Sequence, residues 1–364
     1  MVTVAVDGNG ADLGPVEVVA GAGLAAARGI RVLVFADPSG IGVIPDGVEL
    51  VDARISIAKA ADPAYAVRRN PDASIVQAAR AVAEGRAQAL VSGGSTGSAL
   101  AAGLAHLKKG RGIYRPALAL PIPRPGEHPV LVLDVGANVT CRPEHLIQFA
   151  HMGSAFAQAV MSTESPRVAL LSNGTEPTKG TEDLRQVHQR LSGEEGAGLR
   201  FIGNIEGTDV MESVADVVVT DGFSGNIALK LIEGVSGRTM KAMKMAAMRS
   251  TRAKVGGFLL APSVQGLRQE IDPETTGGAY MLGLRQLGVV AHGRFSRRGF
   301  AQAIEVAARG VEQDVVARTQ AALQEAGALH IRAHHRASGT QASATAAPDD
   351  SSSPSGQPTT VMGQ

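Results

Sequence analysis

Lys179 stands in the glycine-bounded segment GTEPTKGT, residues 174–181, which follows the apolar run VALLSN. An ammonium at the end of a strand can hold a phosphate oxygen as a point charge; its other reading is a solvated surface lysine. The segment is not a nucleotide loop of the Walker type, which needs glycine directly before lysine, whereas here Lys179 precedes Gly180. Gly174 and Lys179 are therefore candidates for phosphate alone. Asn138 in DVGAN and Asn226 in DGFSGN are neutral amides suited to holding a carbonyl oxygen as it gains charge, or to bonding a phosphate oxygen. Each is also an ordinary turn residue, because Asn tolerates left-handed backbone. GGSTG, residues 93–97, matches the nucleophile elbow GxSxG with Ser95 as the attacking group. A Gly- and Ser-rich turn that opens a helix is equally an anion cradle formed by Ser95 and Thr96, or a cap, since the first amides of a helix are unpaired. Asp7 and Asp12 lie in DGNGADLGP; each carboxylate can cap a helix or orient a catalytic group, and capping suits Asp12. The glycines at 8, 10 and 14 miss the GxGxxG spacing of a dinucleotide site. Asp221 is a candidate acid. Glu176 and Glu206 are candidate bases, which would repel phosphate unless neutralised. Cys141 has no recognisable base beside it and is read as a packing residue.

These residues need strands to carry them. Residues 2–6 (VTVAV) predict a buried strand, Pro15 opens a helix to about Arg28, and residues 31–36 predict the next strand. Apolar runs ending in small polar residues recur from Ala89, Val130, Val168 and Val217. A charged helix begins near Thr181, and a second such unit spans residues 201–226. The pattern is that of an α/β, doubly wound, mostly parallel sheet, in which ligands gather at the carboxyl ends of the strands. Residues 1–330 form the expected α/β domain, with two lobes around a cleft. Residues 331–364, rich in Ser, Thr, Ala, Pro and Gly, are expected to be a disordered tail in which His334 and His335 are solvated.

The 364 residues carry 35 basic and 34 acidic side chains, so no overall field draws the chain to nucleic acid. Aromatics are 3% and Trp is absent, which leaves few platforms for stacking bases. The single cysteine excludes an intrachain disulfide and fits a reducing compartment. No run approaches 18 apolar residues, and neither a leader nor a membrane span is expected. The expected location is the cytoplasm, with peripheral attachment to a membrane.

Together, DGNGADLGP, SGGSTGSA, RPAL at Arg115, DVGANVTCRPEHLIQFAHMG, LLSNGTEPTKG, FIGNIEG and DGFSGNIALK resemble the bacterial acyl carrier protein:phosphate acyltransferase family, PlsX, over about residues 1–330. Ala11 departs from the family, which carries a second glycine there. The resemblance implies a fold similar to isopropylmalate dehydrogenase and phosphotransacetylase, a homodimer, and neither cofactor nor metal. It also implies attack of phosphate on the thioester of acyl carrier protein, giving an acyl phosphate for phospholipid synthesis. On that basis Lys179 would bind phosphate, and Asn138 and Asn226 would serve phosphate or the oxyanion. Ser95, Thr96, Asp221, Gly174 and Asp7 would be the substrate-binding set. A serine hydrolase at Ser95 and a noncatalytic carrier-binding module are the rival functions.

Between Glu233 and Glu270 there is no acidic residue, while Arg238, Lys241, Lys244, Arg249, Arg252, Lys254 and Arg268 are basic. At about 100° per residue, Arg238, Lys241, Arg249 and Arg252 fall on one side of a helix. GGFLLAP, residues 256–262, is expected to be an apolar tip between helix breakers, with Phe258 and Leu259 entering an anionic leaflet near the acyltransferase that consumes the product. The alternatives are a dimer-packing helix pair and a seat for the acidic carrier protein.

Overall fold

The computed structural model describes residues 1–193 and 196–330. The expected tail, with His334 and His335, lies outside the described residues. Along the chain come β1 (Thr3–Asp7), α1 (Pro15–Ala26), β2 (Arg31–Ala36), β3 (Val48–Asp52), α2 (Pro63–Arg69), α3 (Ser74–Ala83), β4 (Ala89–Ser92) and α4 (Thr96–Ala102). After them come β5 (Ala117–Ile122), β6 (Val130–Leu133), α5 (Pro143–Val160), β7 (Arg167–Leu171), α6 (Glu182–Leu191), β8 (Arg200–Ile205), β9 (Val217–Val219) and α7 (Gly222–Ala247). The described part closes with α8 (Thr251–Glu270), α9 (Pro273–Thr276), β10 (Ala279–Leu282), β11 (Leu287–Val290), α10 (Arg297–Glu312) and α11 (Val315–Glu325).

The strands join one sheet in the order β3-β2-β1-β4-β11-β10-β5-β6-β9-β7-β8. Alternation along each strand supplies two cores. Val4 and Val6 face Val18 and Ala22 of α1 and Phe300 and Ile304 of α10, whereas Ala5 faces Ile75, Ala78 and Ala79 of α3. Leu131 and Leu133 pack with Phe149, Met152 and Phe156 of α5, and Val130 and Val132 take the opposite side. α/β layering on both faces is thus what the buried, Val-rich strands require.

The sheet is parallel at both flanks but not through its centre. β10 runs antiparallel to β11 and to β5, and β5 antiparallel to β6. Three reversals in succession leave β6, β7, β8 and β9 pointing against β1, β2, β3, β4 and β11. The carboxyl ends of the strands therefore form two sets at opposite edges of the sheet, not the single set that a wholly parallel sheet would present. A strand's own residues do not state its direction, β10 has only four residues, and β5 contains Pro121, which lacks the amide that a ladder uses; this is why their sequence does not announce them.

The basic segment also differs from expectation. α7 ends at Ala247 and α8 begins at Thr251 with Ser250 as its N-cap, its side chain accepting from the Ala253 amide. Arg249 therefore lies in the link, and Arg238 and Lys241 belong to a different helix from Arg252. The segment 256–262 is not a tip: it runs inside α8, which continues through Pro262.

Candidate active site

The loop after β6 is organised by Asp134, a fully buried carboxylate. Its Oδ1 accepts from the backbone amides of Leu118 (3.1 Å), Gly136 (3.0 Å) and Ala137 (2.8 Å). Its Oδ2 accepts from the Asn138 amide (2.7 Å) and from Asn138 Nδ2 (2.8 Å). Burial pushes the Asp134 carboxyl upward, and these donated bonds act in the opposite sense by favouring the charged form. The second hydrogen of Asn138 Nδ2 goes to Pro116 O at 2.7 Å. An NH2 group has two hydrogens, so Asn138 has no donor left for a ligand. Its expected role as an oxyanion donor gives way to one of shaping the loop. Asp134 was not singled out by sequence; its signal was an Asp followed by Gly and Asn at a strand end.

The first turns of α7 dock on this loop backbone to backbone. The Gly222 amide donates to Asn138 O at 2.7 Å. A Cβ on Gly225 would lie 2.0 Å from Asp134 O, and one on Gly222 2.7 Å from Asn138 O, so no side chain fits at either position. Asp221 caps the helix, accepting from the Ser224 amide (2.7 Å) and from Ser224 Oγ (3.2 Å); it is committed to that cap. Because the cap starts the helix at Gly222, Asn226 lies in a helical turn and not in a strand-end loop. Its Cβ and amide are 3.8–4.0 Å from where a Cβ of Gly136 would stand. Among the described residues its amide has no hydrogen-bond partner, and the residue is half-buried. Of the two asparagines, Asn226 is the one with donors to offer.

The loop after β7 holds Lys179. The Lys179 amide donates to Glu176 O (3.0 Å), Gly180 N donates to Asn173 Oδ1 (2.9 Å), and Asn204 Nδ2 donates to Glu176 O (2.9 Å). A Cβ on Gly174 would fall 2.6 Å from Lys179 Cγ, so the lysine stem lies directly across this glycine. Lys179 is exposed and has no ion pair among the described residues. β6, β9 and β7 are consecutive, parallel neighbours. The loop containing Asn138, the helix start containing Asp221 and Asn226, and the loop containing Gly174 and Lys179 thus leave one edge of the sheet side by side.

Ser95, Thr96 and Asp7 belong to the other set of strand ends, after β4 and β1. Asp7 is buried and accepts from Ser74 Oγ (2.6 Å) and Ser92 Oγ (2.8 Å), and Ser92 Oγ in turn accepts from the Gly94 amide (3.1 Å). Burial raises the Asp7 carboxyl against the pull of these hydroxyls. It supports the Gly94 turn from beneath and has no surface for substrate, contrary to its expected place in the binding set. Gly10 allows the two loops to touch, since a Cβ there would be 2.5 Å from Gly94 N. Ser95 is the N-cap of α4, with unstrained φ −65°, accepting from the Ser98 amide (3.2 Å) and donating to Ser98 Oγ (2.9 Å). Among the described residues no histidine is bonded to it. That is the geometry of a cap and not of a strained elbow with its base. Cys141 is buried, and burial, with Asp134 and Asp221 nearby, pushes its thiol up to about 12, which removes it as a nucleophile.

The family model described as "Fatty acid synthesis protein" matches residues 2–318. A phosphate acyltransferase of Moorella thermoacetica is 41% identical over 320 residues, covering 86% of this chain and 93% of that protein. The chain belongs to the PlsX family of phosphate acyltransferases. Its relative in Bacillus subtilis is 38% identical over 328 residues, covering 88% of this chain and 98% of that protein. As a PlsX family member it is an acyltransferase of fatty acid and lipid synthesis. The departure at Ala11 is accommodated, because that residue lies outside the left-handed region where only glycine is at ease. The fold is shared with the phosphotransacetylases of Streptococcus pyogenes (TM-score 0.56, 17% identity, 85% of this chain and 94% of that chain) and Staphylococcus aureus (TM-score 0.53, 17% identity, 85% and 94%).

Proposed function

We propose that this PlsX family member moves a fatty acyl group from acyl carrier protein to inorganic phosphate at the edge formed by β6, β9 and β7. The observation that carries this assignment is the side-by-side delivery, by neighbouring strands, of a lysine and an asparagine amide that have no partner among the described residues. Lys179 holds phosphate as a point charge and offsets the charge that accumulates as a phosphate oxygen attacks the thioester carbonyl. Asn226 donates to the developing oxyanion. Collapse of the tetrahedral intermediate breaks the carbon–sulfur bond, and the carrier leaves as its thiol after taking up a proton. Asp134 and Asn138 hold the loop against which Asn226 is set; Asp221 holds the helix on which it rides. None of these steps uses Ser95 as a nucleophile.

The deciding measurement is release of carrier thiol from palmitoyl acyl carrier protein with and without phosphate, trapping the product with hydroxylamine. Phosphate-dependent release with hydroxamate formed, retained within a few-fold in Ser95→Ala, is the expected result. Release without phosphate, abolished in Ser95→Ala, would establish the hydrolase instead.

Helices α7 and α8 suit a homodimer and a membrane surface. Phe223, Ile227, Leu231 and Val235 recur every fourth residue along α7 and are all exposed, and α8 has no buried residue. A 20-residue helix with no buried face gains little from its own propensity, which favours burial of this hairpin against a second copy. Phe258 and Leu259, 80% and 72% exposed on α8, with the basic residues around the link at Arg249, suit shallow insertion into an anionic leaflet, where the product meets the acyltransferase that consumes it. No helix of the described residues is long and apolar enough to cross a membrane. The expected result is flotation with anionic vesicles that Phe258→Asp with Leu259→Asp abolishes; flotation unaffected by that pair would refute insertion here.

A further inference from the structure

No Asp or Glu stands between Glu84 and Glu127, and within that run lie Lys108, Lys109, Arg111 and Arg115. The fold sets part of this run beside cations from two other segments. Arg285 Nε donates to Lys109 O (3.0 Å), and Lys109 Nζ donates to Tyr114 O (2.8 Å), next to Arg115. Arg142, at the start of α5, is tied to the same place, since its amide donates to His145 Nδ1 (3.2 Å) and the His145 ring stands 5.8 Å from that of Tyr114, while Glu144 is bonded to Arg190 (3.2 Å). Lys109, Arg115, Arg142 and Arg285 are exposed, and none has an ion pair among the described residues. This basic collar borders the candidate site directly, because Pro116, the residue after Arg115, accepts from Asn138 Nδ2 at 2.7 Å.

We propose that the collar formed by Lys109, Arg115, Arg142 and Arg285 is the docking surface for the acidic protein that carries the acyl thioester, placing the thioester at the loop of Asn138. The inference rests on the acyl-transfer function above and adds the surface that recognises the donor. Cations that are exposed and drawn from three segments form a rim that complements an acidic face; a small anion would instead be held in a built, buried pocket. Charge of this kind steers encounter and fixes orientation, and its effect falls as salt rises. The basic residues of α7 and its link, the other candidate seat, have no described contact with the Asn138 loop.

The test compares two donors of the same acyl group, palmitoyl acyl carrier protein and palmitoyl pantetheine, with the full-length chain. Arg142→Glu with Arg285→Glu should raise KM for the carrier-bound donor about tenfold or more at low salt, because like charges then face each other across the rim. That rise should shrink at about 0.5 M salt. Turnover at saturation, KM for phosphate and all rates with palmitoyl pantetheine should stay within twofold. Arg142→Gln with Arg285→Gln should give a smaller rise, and Arg238→Glu with Lys241→Glu none. Equal loss with both donors, no change in KM for the carrier, or a rise produced by the α7 pair would overturn the assignment. Should the chain transfer no acyl group to phosphate, the acyl-transfer function itself fails. Titration with the carrier alone then tests the surface: binding lost in the double Glu variant supports it, and binding retained refutes it.

Discussion

Lys179→Ala and Asn226→Ala should each lower phosphate-dependent turnover by about 100- to 1000-fold, the usual cost of removing one group that stabilises developing charge in an acyl-transfer transition state. Neither side chain carries a hydrogen bond or ion pair to another described residue, so neither loss should be accompanied by a fall in stability. Thermal unfolding should stay within a degree or two of the parent. The two variants should differ in their kinetics. Lys179→Ala should raise KM for phosphate as well as lower turnover, because its charge is present in the ground state; Asn226→Ala should act mainly on turnover. Asn138→Ala provides the contrast, since its amide bonds Pro116 O and Asp134 Oδ2 and its removal should lower activity and stability together. Turnover within a few-fold of the parent in Lys179→Ala would remove the lysine from the mechanism. A stability loss in Asn226→Ala equal to that in Asn138→Ala would show that its amide is structural.

Asp134→Ala should be the most damaging single change at the site. The carboxylate accepts from four backbone amides and one side-chain amide, and its removal strands these donors in a buried setting. A buried donor left unsatisfied costs about 1–3 kcal/mol. Even with water repairing most of them, the loss should reach about 3 kcal/mol or more on that scale, read as a lower denaturant midpoint. Activity should fall below that of Asn226→Ala, because the loop and the α7 start that docks on it lose their shape together. Asp134→Asn, which keeps one acceptor and presents an NH2 to amide donors, should be intermediate in stability. A midpoint shift worth less than about 0.5 kcal/mol, the range of ordinary surface changes, would show that the loop is held by something other than this carboxylate.

The positions of β1, β2, β4, β6, β7 and β9 follow from local pattern, as does the start of α1 at Pro15. A buried strand must be apolar and a helix must begin where its amides can be capped, and both requirements are written within a few adjacent residues. The short polar strings at the strand ends likewise marked the candidate loops, and in combination they marked the family. Other features depended on residues far apart in the chain. The reversal of the sheet rests on pairing β10 with β5 and β11, and a strand's own residues carry no sign of its direction. The interruption at 248–250 is local by contrast, a cap by Ser250 three residues from its donor, set against a basic periodicity that runs through it. Asn138 and Asn226 look alike in sequence, each following a glycine-rich turn. Tertiary structure alone separates them, because the hydrogens of one are consumed by Pro116, 22 residues away, and by Asp134 beneath it, while those of the other meet no acceptor among the described residues. Sequence by itself determined which residue types stand at the strand ends; the long-range hydrogen bonds decided which of them still have a bond to give.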